Sequence, residues 1–136
     1  MQQQLILAKS WEERYRMIIQ AGKNLPQPNE TELATMQPIS GCEAKVWFKF
    51  EQIHQENADK NSAKTDRTFH FQAYSDARII NGLLWILLQE INGKTATELR
   101  SFNLTQYFTR LGIAQRLSAS RLNGLKQIEK LINTLV

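Results

Sequence analysis

One cysteine, three prolines and six glycines in 136 residues is a sparse supply, and each shortage removes a class of protein. With Cys42 as the single thiol there is no internal disulfide and no cysteine-rich metal site. A thiol without a partner fits a reducing compartment. Long apolar runs are missing too. The longest, Leu83 to Leu88, falls far short of the ~20 residues that span a bilayer. The N-terminus, Met1-Gln2-Gln3-Gln4-Leu5, has no basic region followed by an apolar segment, so no signal peptide is visible and a cytoplasmic location is expected. No glycine-rich phosphate loop and no lysine-centred pyridoxal phosphate motif occurs. Repeats, low-complexity tracts and interdomain linkers are absent as well.

The remaining composition is that of an ordinary globular chain, 42% hydrophobic and 22% charged. The length suits one domain, residues 1–136, large enough to bury a core without staples. Charge is uneven. From Lys94 onward seven Lys/Arg face two Asp/Glu, a net +5, whereas residues 1–93 carry −1. A basic third could steer an acidic partner or meet nucleic acid. Its charges stand singly along helices, however, which reads as a solvated face, and nucleic-acid binding is not the expected function.

Ser10 with Glu13 reads as a capping box that opens a helix closed by Gly22 and Pro26. Residues 23–41 hold all three prolines and form a long loop with one short turn near Thr31. Val46-Trp47-Phe48-Lys49-Phe50 alternates as a strand, and Arg67 to Tyr74 alternates again with Phe69, Phe71 and Ala73 on one side. Two strands alone are marginal, so a third is expected from elsewhere in the chain. Ser75 reads as an N-cap with Asp76 in the first turn of a helix. The apolar residues Ile79, Ile80, Leu83, Leu84, Ile86, Leu87, Leu88 and Ile91 wrap most of that helix, which makes it the central buried one. Thr95 with Glu98 caps another helix, Thr105 to Leu111 is a short one, and Ser118 caps the last, with Leu122, Leu125, Ile128, Ile132 and Leu135 facing the core. The pattern predicts an α+β fold: a small antiparallel sheet with helices packed against it in a single compact domain.

Cys42 follows Gly41 at the end of the proline-bearing loop and precedes the aromatic strand. Glycine widens the backbone choices there, so a thiol can be held at the tip of a tight turn. Long loops in compact domains are functional or disordered, and this one delivers the only cysteine. Three roles stay open on position alone: a small packed hydrophobe, a nucleophile, or a carrier of something bound to sulfur. Lys45, Arg78 and Arg121 are the basic candidates to favour a thiolate. His54 and His70 lie in strand-like surroundings without ligand spacing, and no metal site is expected.

Four stretches in order carry a family resemblance. Gly41-Cys42-Glu43-Ala44-Lys45-Val46-Trp47 resembles the Gly-Cys-x-Ser-x-Val-Trp signature of the SufE-like sulfur acceptors, which include the CsdE proteins. Ser75-Asp76-Ala77-Arg78-Ile79-Ile80-Asn81-Gly82-Leu83 resembles that family's Ser-Asp-Ala-x-Ile-Val-x-Gly-Leu. Leu117-Ser118-Ala119-Ser120-Arg121-Leu122-Asn123-Gly124-Leu125 resembles its Leu-(Ser/Thr)-Pro-Ser-Arg-x-x-Gly-Leu, and Trp11-Glu12-Glu13-Arg14-Tyr15 its Trp-Glu-x-x-Tyr. Ala44, Ala119 and Arg116 depart from the usual Ser, Pro and His.

The resemblance implies a sulfur carrier, not an enzyme. Cys42 would take persulfide sulfur from a cysteine desulfurase, stimulate that partner, and pass the sulfur to an iron–sulfur scaffold or another acceptor. Pyridoxal phosphate would belong to the partner, and this chain would bind no cofactor. The likeness also implies that the Asp76 and Arg121 stretches flank the cysteine loop and serve docking or activation; Lys45 and Arg78 remain candidates by their charge. The alternative reading of the thiol is a redox sensor or peroxide-reactive enzyme.

Overall fold

The computed structural model describes residues 2–39, 45–53 and 68–134. Seven α-helices and three strands lie among them. In chain order they are α1 (Gln2–Leu7), α2 (Trp11–Gly22), α3 (Glu30–Ala34), β1 (Gln37–Pro38), β2 (Val46–Ile53), β3 (Thr68–Ser75), α4 (Arg78–Ile91), α5 (Ala96–Arg100), α6 (Leu104–Arg110) and α7 (Ala119–Asn133), with a 3₁₀ turn at Ala114–Arg116. The fold is α+β, a three-stranded antiparallel sheet in the order β1-β2-β3 with helices against it. No helix among the described residues is long and apolar enough to cross a membrane.

β2 and β3 pair along their full length, Val46 opposite Ser75 and Ile53 opposite Thr68. Phe48, Phe69, Phe71 and Ala73 bury one face, and Phe48 stacks on Phe71 at 5.6 Å. The third strand comes from the proline loop. β1 places Gln37 opposite Phe48 and Pro38 opposite Trp47. Ile39 N–H donates to the Val46 carbonyl at 2.8 Å, so Gln37 and Ile39 face β2 and Pro38 faces outward. An outward edge position is where a residue without an N–H costs nothing.

α4 is the centre of the core, with all eight of the apolar residues expected there buried. α2 packs on it through Gly82, where a β-carbon would stand 2.0 Å from the Ile18 carbonyl oxygen, and Gly22, where one would stand 2.8 Å from the Gly82 nitrogen. The capping boxes at Thr95 and, within the proline loop, at Asn29 are both complete. Ser10 accepts from Glu13 N–H as expected, but Glu13 reaches past the cap to Lys9 N–H.

Two expectations are corrected. Ser75 is not a helix cap: it ends β3 and is fully buried, and the residue before α4, Ala77, makes no side-chain cap bond. Asp76 accordingly sits before the helix and not in its first turn. The six-residue α1, unforeseen in the pattern, is held by distant partners. Leu5 is buried, Arg14 donates to the Leu5 and Ala8 carbonyls at 2.9 and 3.0 Å, and Gln2 donates to Glu90 at 3.0 Å and Tyr107 at 2.9 Å.

Glu90 also accepts from Lys94 at 2.9 Å. Burial alone would raise its carboxyl, but the hydrogen bonds from Lys94 and Gln2 and the charges of Lys94 and Arg110 outweigh it, holding Glu90 below the usual carboxylate range. Burial, with the Glu90 charge, pushes the Tyr107 hydroxyl up to about 12. A depressed carboxyl stabilises the fold above its unfolded value of ~4.3, and that contribution is lost as pH falls through the lower folded value. Glu90→Gln is therefore expected to cost about 1 kcal/mol at pH 7, since the pair is only partly buried. The gap from wild type should narrow when pH is lowered from 7 into the acid range below ~4.3. Urea midpoints at pH 7 and in that acid range measure it.

Candidate functional site

The described chain stops at Ile39 and resumes at Lys45, so Cys42 lies outside the described residues, three positions from each flank. His54 and Leu135 also lie outside them. Both flanks are fixed. Ile39 is tied to Val46, as above. Lys45 is gripped through its main chain: its N–H donates to Asp76 Oδ1 at 3.1 Å, and its carbonyl accepts from Ser75 Oγ at 2.7 Å and Asp76 N–H at 3.3 Å. The Ser75 hydroxyl also accepts from Ala77 N–H at 3.2 Å, which completes its bonding in a site without water access.

Asn81 holds this clamp from behind. Its Oδ1 accepts from Ser75 N–H at 2.7 Å, and its Nδ2 donates to the Ser75 carbonyl at 2.8 Å. Ser75-Asp76-Ala77 is thus a turn that sets where the chain re-enters the sheet after the thiol segment. The pattern of residues did not single out Asn81 as part of the site, although an amide on an otherwise apolar helix is the signal for such a bond.

Arg121 comes to the same end of the sheet from α7. Partly buried, it lines a narrow gap with Val46, Ile80, Leu84, Gly124, Leu125 and Ile128, while its own N–H donates to the Ser118 cap at 3.2 Å. Arg78 is exposed at the first position of α4. The structure therefore joins Lys45 directly to Asp76 and sets Arg121 beside Val46, and it gives Arg78 an outward position close by in sequence. His70 lies in β3 opposite Glu51, and no group of three His, Cys, Asp or Glu suited to a metal occurs among the described residues.

A family model for SufE, described as an Fe-S metabolism associated domain, matches residues 1–136. The chain belongs to the SufE family. An uncharacterized SufE-like protein of Haemophilus influenzae is 56% identical over 133 residues, 98% of this chain and 97% of that one. The sulfur acceptor protein CsdE of Escherichia coli is 35% identical over 122 residues, 90% of this chain and 76% of its own. A SufE-like protein of Rhizobium meliloti is 32% identical over 124 residues, 91% and 83% of the two chains.

In this SufE protein the motif residues separate into physical jobs. Gly82 makes room for α2, Ser75 and Asp76 hold Lys45, and Ser118 caps α7. Asp76→Ala removes one acceptor from an exposed main-chain N–H. A stability loss of about 1 kcal/mol is expected, because the Ser75 bonds remain. Sulfur uptake should fall more than stability does, as the exit of the thiol segment loosens. Urea unfolding beside an uptake assay separates the two; equal wild-type uptake would make Asp76 purely a fold residue.

Proposed function

We propose that this SufE protein accepts persulfide sulfur on Cys42 from a pyridoxal-phosphate cysteine desulfurase, stimulates that enzyme by clearing its persulfide, and passes the sulfur to iron–sulfur cluster assembly or another acceptor. The observation that supports this best is a lone thiol in a segment anchored at both ends, Ile39 on Val46 and Lys45 on Asp76 and Ser75, within a family that includes a named sulfur acceptor.

The step is an exchange without net oxidation. The Cys42 thiol gives up its proton, and the thiolate attacks the outer sulfur of the donor persulfide. The donor's S–S bond breaks, its inner sulfur leaves as a thiolate that takes a proton, and a new S–S bond forms on Cys42. One thiol serves both receipt and delivery. A second nearby would resolve the persulfide into a disulfide and release sulfide, and this chain has no second. Lys45, Arg78 and Arg121 supply the positive charge that favours a thiolate and complements an acidic partner surface. Asp76 keeps Lys45 in place.

Mass spectrometry tests this directly. After mixing with desulfurase and cysteine, Cys42 should gain one sulfur atom that a reductant removes. No gain with desulfurase, together with sulfenic acid formed by peroxide, would replace the carrier reading with that of a thiol redox sensor.

A further inference from the structure

On the sheet edge opposite β1, a cleft of about 240 Å³ runs along the backbone of β3 at residues 70–73. One wall is α4, with Trp85, Leu88 and Asn92; the other is the proline loop, with Leu25, Pro26 and Met36. The pairing pattern fixes which backbone groups face it. Val46 turns its carbonyl toward β1, so Phe48, two residues on, faces the same way. Ala73, opposite Phe48, is then turned away from β2 and toward the open edge.

The neighbours of Ala73 on that edge are satisfied one by one. Phe69 exchanges bonds with Lys94 and Gly93 at 3.0 and 2.9 Å, Phe71 N–H donates to Asn92 Oδ1 at 2.7 Å, and Ser75 is held at both backbone groups by Asn81. Ala73 N–H and carbonyl and the Phe71 carbonyl have no partner among the described residues. A donor and an acceptor on one buried strand residue, facing a cleft with apolar side chains on both walls among polar ones, form the pattern that an added strand reads.

Charge narrows the occupant. In a chain of net charge +4, no lysine or arginine is among the described residues lining this cleft, and the carboxylate among them is Glu32. The described lining therefore favours a neutral or basic occupant over an acidic one. We propose that the cleft binds a short extended peptide segment of a partner protein, two or three residues with small apolar or basic side chains, paired to Ala73 as a fourth strand. Asn81 and Asn92 at the two ends limit the length. The site lies on the edge away from β1 and does not depend on how Cys42 acts.

The test uses the full chain, labelled with ¹⁵N, and a pool of acetylated and amidated apolar tripeptides. The expected result is saturable shifts of the Gln72 and Ala73 amides and the Trp85 indole. N-methylation of the central peptide nitrogen, which removes the bond to the Ala73 carbonyl, should weaken binding about tenfold. Aspartate in the pool should also weaken it, and lysine should not. Ala73→Pro removes only the cleft-facing N–H, since the β2 ladder does not use it, and should abolish the shift of the Trp85 indole. If that variant fails to fold, the N-methylated pool decides alone. No saturable shift at these positions, a response unchanged by N-methylation, or the same shifts with N-methylacetamide at equal concentration would overturn the proposal.

Discussion

Cys42→Ser is expected to reduce desulfurase stimulation to the rate without acceptor, with no labelled sulfur retained on the protein. Serine keeps the size of the side chain but offers no atom that can form a stable bond to sulfane sulfur. The chain has no other thiol to substitute for it, so the loss should be complete and not partial. The described fold is held together by other residues. The flanks are held through main-chain atoms of Ile39, Lys45 and Val46, and the core assembles from α4, β2 and β3. Melting temperature should therefore shift by no more than a few degrees. Desulfurase rate against acceptor concentration, with radiolabelled cysteine as donor, gives both readouts. Retained stimulation with retained label would end the carrier reading.

Gly82→Ala should produce the largest loss of stability from one added methyl group. The new carbon would fall 2.0 Å from the Ile18 carbonyl oxygen and 2.5 Å from the Ile18 Cγ2. Both obstacles belong to Ile18, which is fully buried where α2 packs on α4, and the nearer one is backbone, so neither yields easily. Overpacking usually costs 1–3 kcal/mol, and a clash with backbone belongs above that range, about 3–5 kcal/mol here. Gly93→Ala is the control. It has nothing within 4 Å, and only its left-handed backbone, φ +84°, resists the change, at about 1–2 kcal/mol. Urea midpoints of the two variants should differ in that order. Equal costs would mean that α2 and α4 separate freely, and that Gly82 matters for some other reason.

Periodicity exposed the core well. The buried face of α4 was legible to the residue because apolar side chains at helical spacing have one economical burial, and the caps at Thr95 and Ser118 were legible because the chemistry is local. What failed was long-range. α1 is six residues, half of them glutamine, and its Gln2 side chain is bonded to groups 88 and 105 positions away. β1 is two residues long, too short for any alternation to register, and its Pro38 argues against a strand until its outward face is known. Ser75 misled because serine before Asp, Ala and an apolar helix looks like a cap. The competing bond to Lys45, 30 residues earlier, leaves no trace in the local pattern. Charge singled out Lys45 and resemblance the Asp76 and Arg121 stretches; the bond between Lys45 and Asp76 was not legible, since nothing in spacing indicates a 31-residue separation.

Asn81 and Gly82 are consecutive. One holds the turn that receives the chain after Cys42, and the other seats α4 against α2 with no room for a methyl group. Neighbouring residues thus tie two distant references together. The entry point of β2 is surveyed from a helix pair that has a single possible registration, as a gauge is zeroed against a fixed stop. A pull applied at Lys45 therefore passes through Ser75 and Asn81 to the contact between α2 and α4.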